Sequence, residues 1–168
     1  MNKKVVMSEL SPLIEEALQN GGEVILTVAG RSMLPMLRHR KDRVCIVRPS
    51  QEQLKKYELP LYIRGDGKYI LHRVVEERWP GYVVMGDNQY MGEYPVLPSQ
   101  IIGVVKGFWR KNRYIACDSP GYLLYCRLWC FLYPVRRIYQ RSRNFIKRHG
   151  AFGRRYGREA EGGIQDEG

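Results

Sequence analysis

Apolar and polar residues alternate in several short segments between residues 23 and 109, a spacing typical of β-strands that bury one face. The sequence Gly65-Asp66-Gly67 predicts a hairpin turn. Neither an internal repeat nor a βαβ alternation is visible, so the pattern predicts a mainly β domain that ends near residue 115. The predicted strands are Glu23–Ala29, Arg43–Arg48, Tyr69–Val75, Tyr82–Met85 and Ile101–Trp109.

Helical spacing precedes this region. Ser11-Pro12 is typical of a helix start, with Ser11 as N-cap and the proline in the first turn, and Gly21-Gly22 is typical of a helix end. Residues 1–22 are therefore predicted to contain one amphipathic helix. Its apolar face consists of Leu13, Ile14, Ala17 and Leu18.

Composition excludes several classes of protein. Hydrophobic residues make up 44% and charged residues 27% of the 168, which is typical of a folded protein. No run of about 20 apolar residues and no secretory signal are visible, so we expect neither a spanning helix nor export. The four cysteines are too few and scattered for a disulfide scaffold. Cys126 and Cys130 lack further metal-binding neighbours, so we expect buried, reduced thiols and no metal.

The formal charge of +11 is unevenly distributed. Residues 1–103 are nearly neutral at net +2, residues 104–158 carry net +13, and residues 159–168 carry net −4. The basicity thus belongs to the C-terminal part, and it does not by itself indicate binding of nucleic acid, which we expect to be unlikely.

The C-terminal part, residues 119–150, begins with an aromatic and apolar segment and continues as a basic amphipathic helix. From Val135 onward the apolar residues fall within an arc of about 120° on a helical wheel, opposite the arginines. Such a helix favours an anionic membrane surface, here bound through residues 120–148. Two alternatives are that the apolar stripe packs on the β domain and that the cations bind RNA or DNA. Residues 151–168 are predicted to be disordered.

Three short motifs could carry chemistry. Gly30-Arg31-Ser32-Met33-Leu34-Pro35 follows the first predicted strand and can present a serine hydroxyl beside backbone N–H groups. His72 lies in a predicted strand with apolar neighbours on its face, and Gly86-Asp87-Asn88 forms a turn after another strand. Each motif also has a purely structural interpretation, namely a backbone cap, a satisfied core histidine and a hydrogen-bonded turn.

Taken together and in this order, Ser32-Met33-x-Pro35, His72-Arg73-Val74 and Gly86-Asp87-Asn88 resemble the boxes of the signal peptidase I clan, which includes the self-cleaving SOS-type repressors. The resemblance covers about half of the chain, residues 24–106. It implies coiled antiparallel β-sheets and serine peptidase chemistry on a peptide or protein substrate, without a metal or other cofactor.

The resemblance also implies roles for single residues. Ser32 matches the nucleophile, and His72 occupies the position of the base, as in the Ser–His branch of the clan. A histidine needs little tuning to accept a proton near neutral pH. Asp87 matches the Gly-Asp-Asn box and is the favoured third member, shaping the site or orienting His72. Glu93 is the rival, because the Ser–His branch has its orienting acid a few residues further on. His39 and His149 match no catalytic box.

The pattern of membrane signal peptidases includes a hydrophobic anchor before the serine, whereas the 31 residues before Ser32 are predicted to be a helix and a strand. We therefore expect a catalytic β domain over residues 23–118, in the cytoplasm, either free or peripheral on the membrane. The main hypothesis is a serine endopeptidase. The alternative is a catalytically silent module of the same fold that docks on a membrane or partner through its basic helix.

Overall fold

A computed structural model of the chain describes residues 7–51 and 53–138. It is mainly β, with antiparallel, strongly curled sheets and a few short helices. A short 3-10 helix, Pro98–Gln100, precedes the longest strand. The other elements are α1 (Met7–Gln19), β1 (Val24–Thr27), β2 (Arg43–Val47), β3 (Pro60–Ile63), β4 (Tyr69–Leu71), β5 (Arg73–Arg78), β6 (Gly81–Met85), β7 (Glu93–Val96), β8 (Ile101–Arg110), β9 (Arg113–Ala116) and α2 (Pro120–Phe131).

The larger sheet has the order β1-β2-β8-β3-β4, and β9 pairs with β8 as well. The smaller sheet has the order β5-β6-β7. Register shifts interrupt the β2–β8 pairing between Cys45 and Ile46 and the β3–β8 pairing between Leu61 and Tyr62. Such irregularities increase the local twist, which is how a sheet of short strands becomes strongly curled.

Two sets of buried side chains form the core. The first includes Leu37, Ile46 and Phe108 together with Ile14 and Leu18 of α1. The second combines Val74, Tyr82 and Val84 of the smaller sheet with Tyr62 and Val104 of the larger one, so both sheets contribute to it. The mainly β architecture predicted from alternation is therefore confirmed, and α1 serves to close one face of the larger sheet.

The N-terminal helix begins earlier than the predicted cap at Ser11. It extends from Met7 and holds Pro12 inside it. A proline there removes the hydrogen bond from residue 12 to the carbonyl of residue 8, and its ring crowds the same carbonyl, so the first turns of the helix are weakened. The buried side chains Ile14 and Leu18 lie on the face that the sequence indicated.

The predicted strand Tyr69–Val75 is two strands in the structure. β4 ends at Leu71 and pairs with β3 in the larger sheet, whereas β5 begins at Arg73 and pairs with β6 in the smaller one. His72 is the residue at which the chain passes between the sheets, and it is 2% exposed. The two sheets therefore meet at one of the candidate site residues.

The first compact unit of the chain continues to Cys130, so most of α2 belongs to it. The described part of the second unit is residues 131–138, and it is helical over 133–138. The rest of the predicted basic amphipathic helix and the predicted disordered tail lie outside the described residues. None of the described helices is long and apolar enough to cross a membrane.

Candidate active site

Ser32 lies in the loop that leaves β1, two residues after a glycine with φ of 91°, a value that L-residues rarely adopt. This glycine, Gly30, donates its backbone N–H to His39 Nδ1 at 2.9 Å. The far end of the loop is fixed by Asp42, a fully buried carboxylate that Arg38 binds with two guanidinium nitrogens. His39 thus supports the loop of Ser32, a role that nothing in its sequence context indicated.

The Gly86-Asp87-Asn88 turn packs directly on Ser32. Asn88 donates its backbone N–H to the carbonyl oxygen of Ser32 at 2.6 Å, and its side-chain amide donates to the carbonyl of Arg31 at 3.2 Å. A Cβ atom at Gly86 would lie 2.8 Å from that same Ser32 oxygen. Glycine is therefore required here by the close approach of two backbones, and the first and third sequence motifs meet.

The strand register brings His72 to the same place. Arg73 is paired with Met85 in the β5–β6 ladder. One step beyond this pair, the neighbours in an antiparallel arrangement are His72 and Gly86. The register therefore places His72 beside the Gly86-Asp87-Asn88 turn, and this turn is the segment that packs on the Ser32 backbone.

The hydrogen bonds of His72 fix its tautomer. The hydroxyl group of the fully buried Tyr62 lies 3.2 Å from His72 Nδ1 and 3.0 Å from a carboxylate oxygen of Glu93. The single hydroxyl proton is donated to the carboxylate, which can only accept, so the tyrosine oxygen accepts a hydrogen bond from Nδ1–H. Glu93 itself lies 3.6 Å from Nδ1. This arrangement leaves the lone pair of the neutral ring on Nε2.

Burial lowers the pKa of His72 to about 4, against the opposing effect of the negative charges of Glu93 and Asp87 and together with the positive charge of Arg64. Desolvation penalises the imidazolium ion, so the ring is neutral at physiological pH. His72 therefore binds a proton less readily than an ordinary histidine.

The carboxylate beside His72 Nδ1 belongs to Glu93 on β7. Burial alone would raise the pKa of Glu93, but hydrogen bonds from Arg64 and Tyr62 and the charge of Arg64 outweigh it and hold the pKa below its usual value. Arg64 binds Glu93 through both Nε and Nη2. Glu93 is therefore ionised and fixed in place as a hydrogen-bond acceptor next to the histidine.

Asp87, the favoured third member, has a different main partner. Both of its oxygens accept hydrogen bonds from Arg73, at 2.9 and 2.8 Å, and both side chains of this ion pair are almost fully buried. Its charge also raises the pKa of His72. Asp87 thus shapes the turn that packs on Ser32, whereas Glu93 accepts the hydrogen bond of Tyr62, the residue whose oxygen lies next to His72 Nδ1.

The sequence interpretation missed Tyr62 and Arg64, which connect Glu93 to His72. Both lie on or just after β3, a strand that was not predicted because Pro60–Ile63 is apolar throughout and shows no alternation. A polar atom on an otherwise apolar segment, here the tyrosine hydroxyl, was the available sign, since a buried hydroxyl group needs a partner.

A cavity of about 280 Å³ opens beside Ser32. It is lined by β1, by the loop residues 28–33 and by β4, with Val44, Ile46 and Leu61 at its base. The strands β1 and β4 stand at opposite ends of the sheet order, so the curl of the sheet brings its first and last strands to one cleft. Two edge strands and apolar side chains therefore border this cleft.

The chain matches no known family model, and a comparison with curated proteins finds no significant relative.

Proposed function

We propose that this protein is a serine endopeptidase of the signal peptidase type that uses Ser32 and His72. The observation that supports it most is the tautomer of His72, with a donor at Nδ1 bound to the Tyr62–Glu93 pair and a lone pair on Nε2. A base that accepts a proton at Nε2 needs Nδ1–H bound to an acceptor, and a neighbouring carboxylate stabilises the imidazolium ion that forms.

The proposed reaction uses these residues in the following way. Ser32 Oγ attacks the carbonyl carbon of the scissile bond while Nε2 of His72 takes the hydroxyl proton. The tetrahedral intermediate, whose oxyanion is bound by the backbone N–H of Ser32, collapses and expels the amine, which receives the proton from Nε2. Water then gives a proton to Nε2, attacks the acyl ester and releases the new carboxylate with regeneration of Ser32. Glu93 stabilises the imidazolium form in each half of the cycle.

The substrate is an extended peptide segment. Strand edges bind a peptide backbone through its N–H and C=O groups, and pockets between them select alternate side chains. The cavity beside Ser32 is apolar and small, lined by Val28, Ala29 and Met33 on the loop side. Small or medium apolar side chains next to the scissile bond therefore suit it best.

Labelling with a serine-directed acylating probe, a β-lactone, tests this proposal. The wild-type chain is expected to be acylated at Ser32, as located by mass spectrometry of the digested protein. Ser32→Ala and His72→Asn should each abolish labelling, whereas Ser50→Ala, which changes an exposed serine, should not. Acylation that persists in both site variants contradicts the mechanism.

A catalytically silent docking module is the second candidate, and the outer face of α2 favours it. Leu124 and Leu128 lie one turn apart on this helix and are 58% and 54% exposed. The region 120–150 carries seven Lys and Arg residues and no acid. Exposed leucines followed by clustered cations suit an anionic membrane surface.

Co-sedimentation of the full chain with vesicles tests membrane docking. Binding is expected to vesicles of phosphatidylcholine and phosphatidylserine in equal parts, and not to phosphatidylcholine alone. The double change Leu124→Ser and Leu128→Ser should weaken binding about tenfold, because it removes roughly 1–2 kcal/mol of apolar burial. Leu13→Ser, at an equally exposed leucine of α1, is the matched control. Docking without any acylation of Ser32 would favour the silent module over the peptidase.

A further inference from the structure

The inner face of α2 is built around the Arg73–Asp87 ion pair. Its members are Tyr122, Cys126 and Trp129, which recur at the spacing of one helix face, with Tyr125 beside them. Tyr122 and Cys126 are buried, and the rings of Tyr125 and Trp129 stack at 5.6 Å. A helix that merely covered an apolar surface would not need hydroxyl, thiol and indole groups along its inner side.

Each of these groups has a definite partner in the ion pair. Arg73 Nη1 donates to Tyr122 Oη at 2.9 Å and to Cys126 Sγ at 2.8 Å. Trp129 Nε1 donates to the backbone carbonyl of Asp87 at 3.2 Å. The Tyr125 hydroxyl lies 3.5 Å from Asp87 Oδ2. The helix therefore holds the aspartate by its side chain and, separately, by its main chain.

The main-chain contact matters most for the nucleophile. Asp87 is the central residue of the turn whose two neighbours hold Ser32, Gly86 by close packing and Asn88 by the 2.6 Å hydrogen bond to the Ser32 carbonyl. A shift of the Asp87 peptide would move both contacts at once. The indole of Trp129 restrains that peptide from outside the β-sheets.

We propose that Trp129 is a positioning residue for Ser32, acting through the Asp87 carbonyl and the Asn88 amide. The inference rests on the proposed function only in taking Ser32 as the nucleophile; the coupling between helix and turn is independent of it. A nucleophile must be held within a fraction of an ångström of its attack geometry, and small displacements from remote changes lower the rate steeply.

The test compares the full-length wild type with Trp129→Phe, which keeps an aromatic ring and removes the indole N–H. Three quantities are measured. Acylation by the β-lactone gives the rate at saturating probe and the probe concentration at which half of that rate is reached. NMR gives the rate of amide hydrogen exchange at Asn88. The control is Trp109→Phe, a similarly half-buried tryptophan that packs on Tyr114 at the end of β8.

Loss of one hydrogen bond to the turn is expected to lower the saturated acylation rate about three- to tenfold with an unchanged half-saturating concentration. Exchange at the Asn88 amide should accelerate by a similar factor, while amides of β2 and β8 keep their wild-type rates. Trp109→Phe should leave the acylation rate, the half-saturating concentration and the exchange rate at Asn88 unchanged. Tyr125→Phe, which removes one hydroxyl group from the same helix face, should act in the same direction to a smaller extent.

Unchanged acylation and unchanged Asn88 exchange in Trp129→Phe would overturn the proposal. Equal acceleration of exchange at Asn88 and throughout β2 and β8 would overturn it too, since that result means general loss of stability. If the wild type is not acylated at all, the peptidase proposal fails, and amide exchange alone tests the role of Trp129. Faster exchange in Trp129→Phe that is confined to the Gly86-Asp87-Asn88 turn supports positioning by Trp129. Unchanged exchange in that variant refutes it.

Discussion

Acidification should lower the free energy of unfolding of this protein through His72. An exposed histidine, whose pKa is the same in the folded and unfolded chain, has no such effect. The folded chain holds the pKa of His72 at about 4, because the ring is buried. In the unfolded chain the pKa of a histidine is near 6.5. Between these two values the unfolded state binds a proton that the folded state does not, so the free energy of unfolding falls as the pH falls.

The size of the effect follows from the two pKa values. Above pH ~6.5 the ring is neutral in both the folded and the unfolded chain, and its contribution to the free energy of unfolding is fully present. Between the unfolded pKa of ~6.5 and the folded pKa, each unit by which the pH falls lowers the free energy of unfolding by about 1.4 kcal/mol. Over the whole interval the loss is about 3 kcal/mol. Glu93 acts in the same direction at lower pH, because its folded pKa is below the usual value.

The assay is urea unfolding, followed by tryptophan fluorescence, at a series of pH values from about 7 to 4.5. His72→Asn separates the histidine from the carboxylates, since it cannot titrate but can still donate a hydrogen bond to Tyr62. The wild type should lose about 2–3 kcal/mol more than this variant over that range. An NMR titration of the His72 ring should give a midpoint well below 6. If the free energy of unfolding changes with pH in parallel in the wild type and in His72→Asn, the assignment of a neutral, buried histidine is refuted.

Three further changes test the surroundings of the site. Glu93→Gln removes the negative charge beside His72 Nδ1. The acylation rate at saturating probe should fall about 10- to 100-fold, with little change in the half-saturating probe concentration. Gly86→Ala should lower the free energy of unfolding by about 1–3 kcal/mol and suppress acylation, because its Cβ would meet the nucleophile's carbonyl oxygen. Gly65→Ala, with open space around it, is the matched control. Arg73→Met should lower the free energy of unfolding by about 3–5 kcal/mol, because it removes the charged partner of a buried carboxylate, whereas Arg78→Met at an exposed ion pair should lower it by about 0–1 kcal/mol. Equal losses within either pair of variants would contradict these assignments.

Alternation predicted the strands that bury one face, and it failed where both faces are covered or a proline intervenes. Pro60–Ile63 is apolar throughout, and Glu93–Val96 contains Pro95. Neither segment shows the period of two on which the prediction relied. Alternation also continued through His72, because a chain that passes from one sheet to another keeps its pleat while it changes partners. The pattern reports the local backbone, and only tertiary pairing decides which sheet a residue joins.

The candidate site could be proposed from motifs, but its contacts could not. The motifs supply Ser32, His72 and the Gly-Asp-Asn turn as candidates, and the structure packs that turn on the Ser32 backbone. Sequence order could not show that Arg73 binds Asp87 while Glu93 lies beside His72, because each contact joins residues far apart in the chain. The aromatic residues of α2 were interpreted as part of a membrane-binding appendage, but the spacing of Tyr122, Cys126 and Trp129 already indicates a helix face that packs inward.

The position of β1 and β4 at the two ends of the larger sheet has a consequence for the substrates that the proposed peptidase could bind. Both are edge strands that line the same cleft, and the free backbone groups of an edge strand can pair with any extended backbone rather than with a particular residue. A strand that is already paired within a folded protein has no backbone groups to offer, and a helical segment has the wrong shape. Under the proposed function, backbone conformation would therefore be selected before side chain, and unfolded segments would be bound in preference to folded proteins.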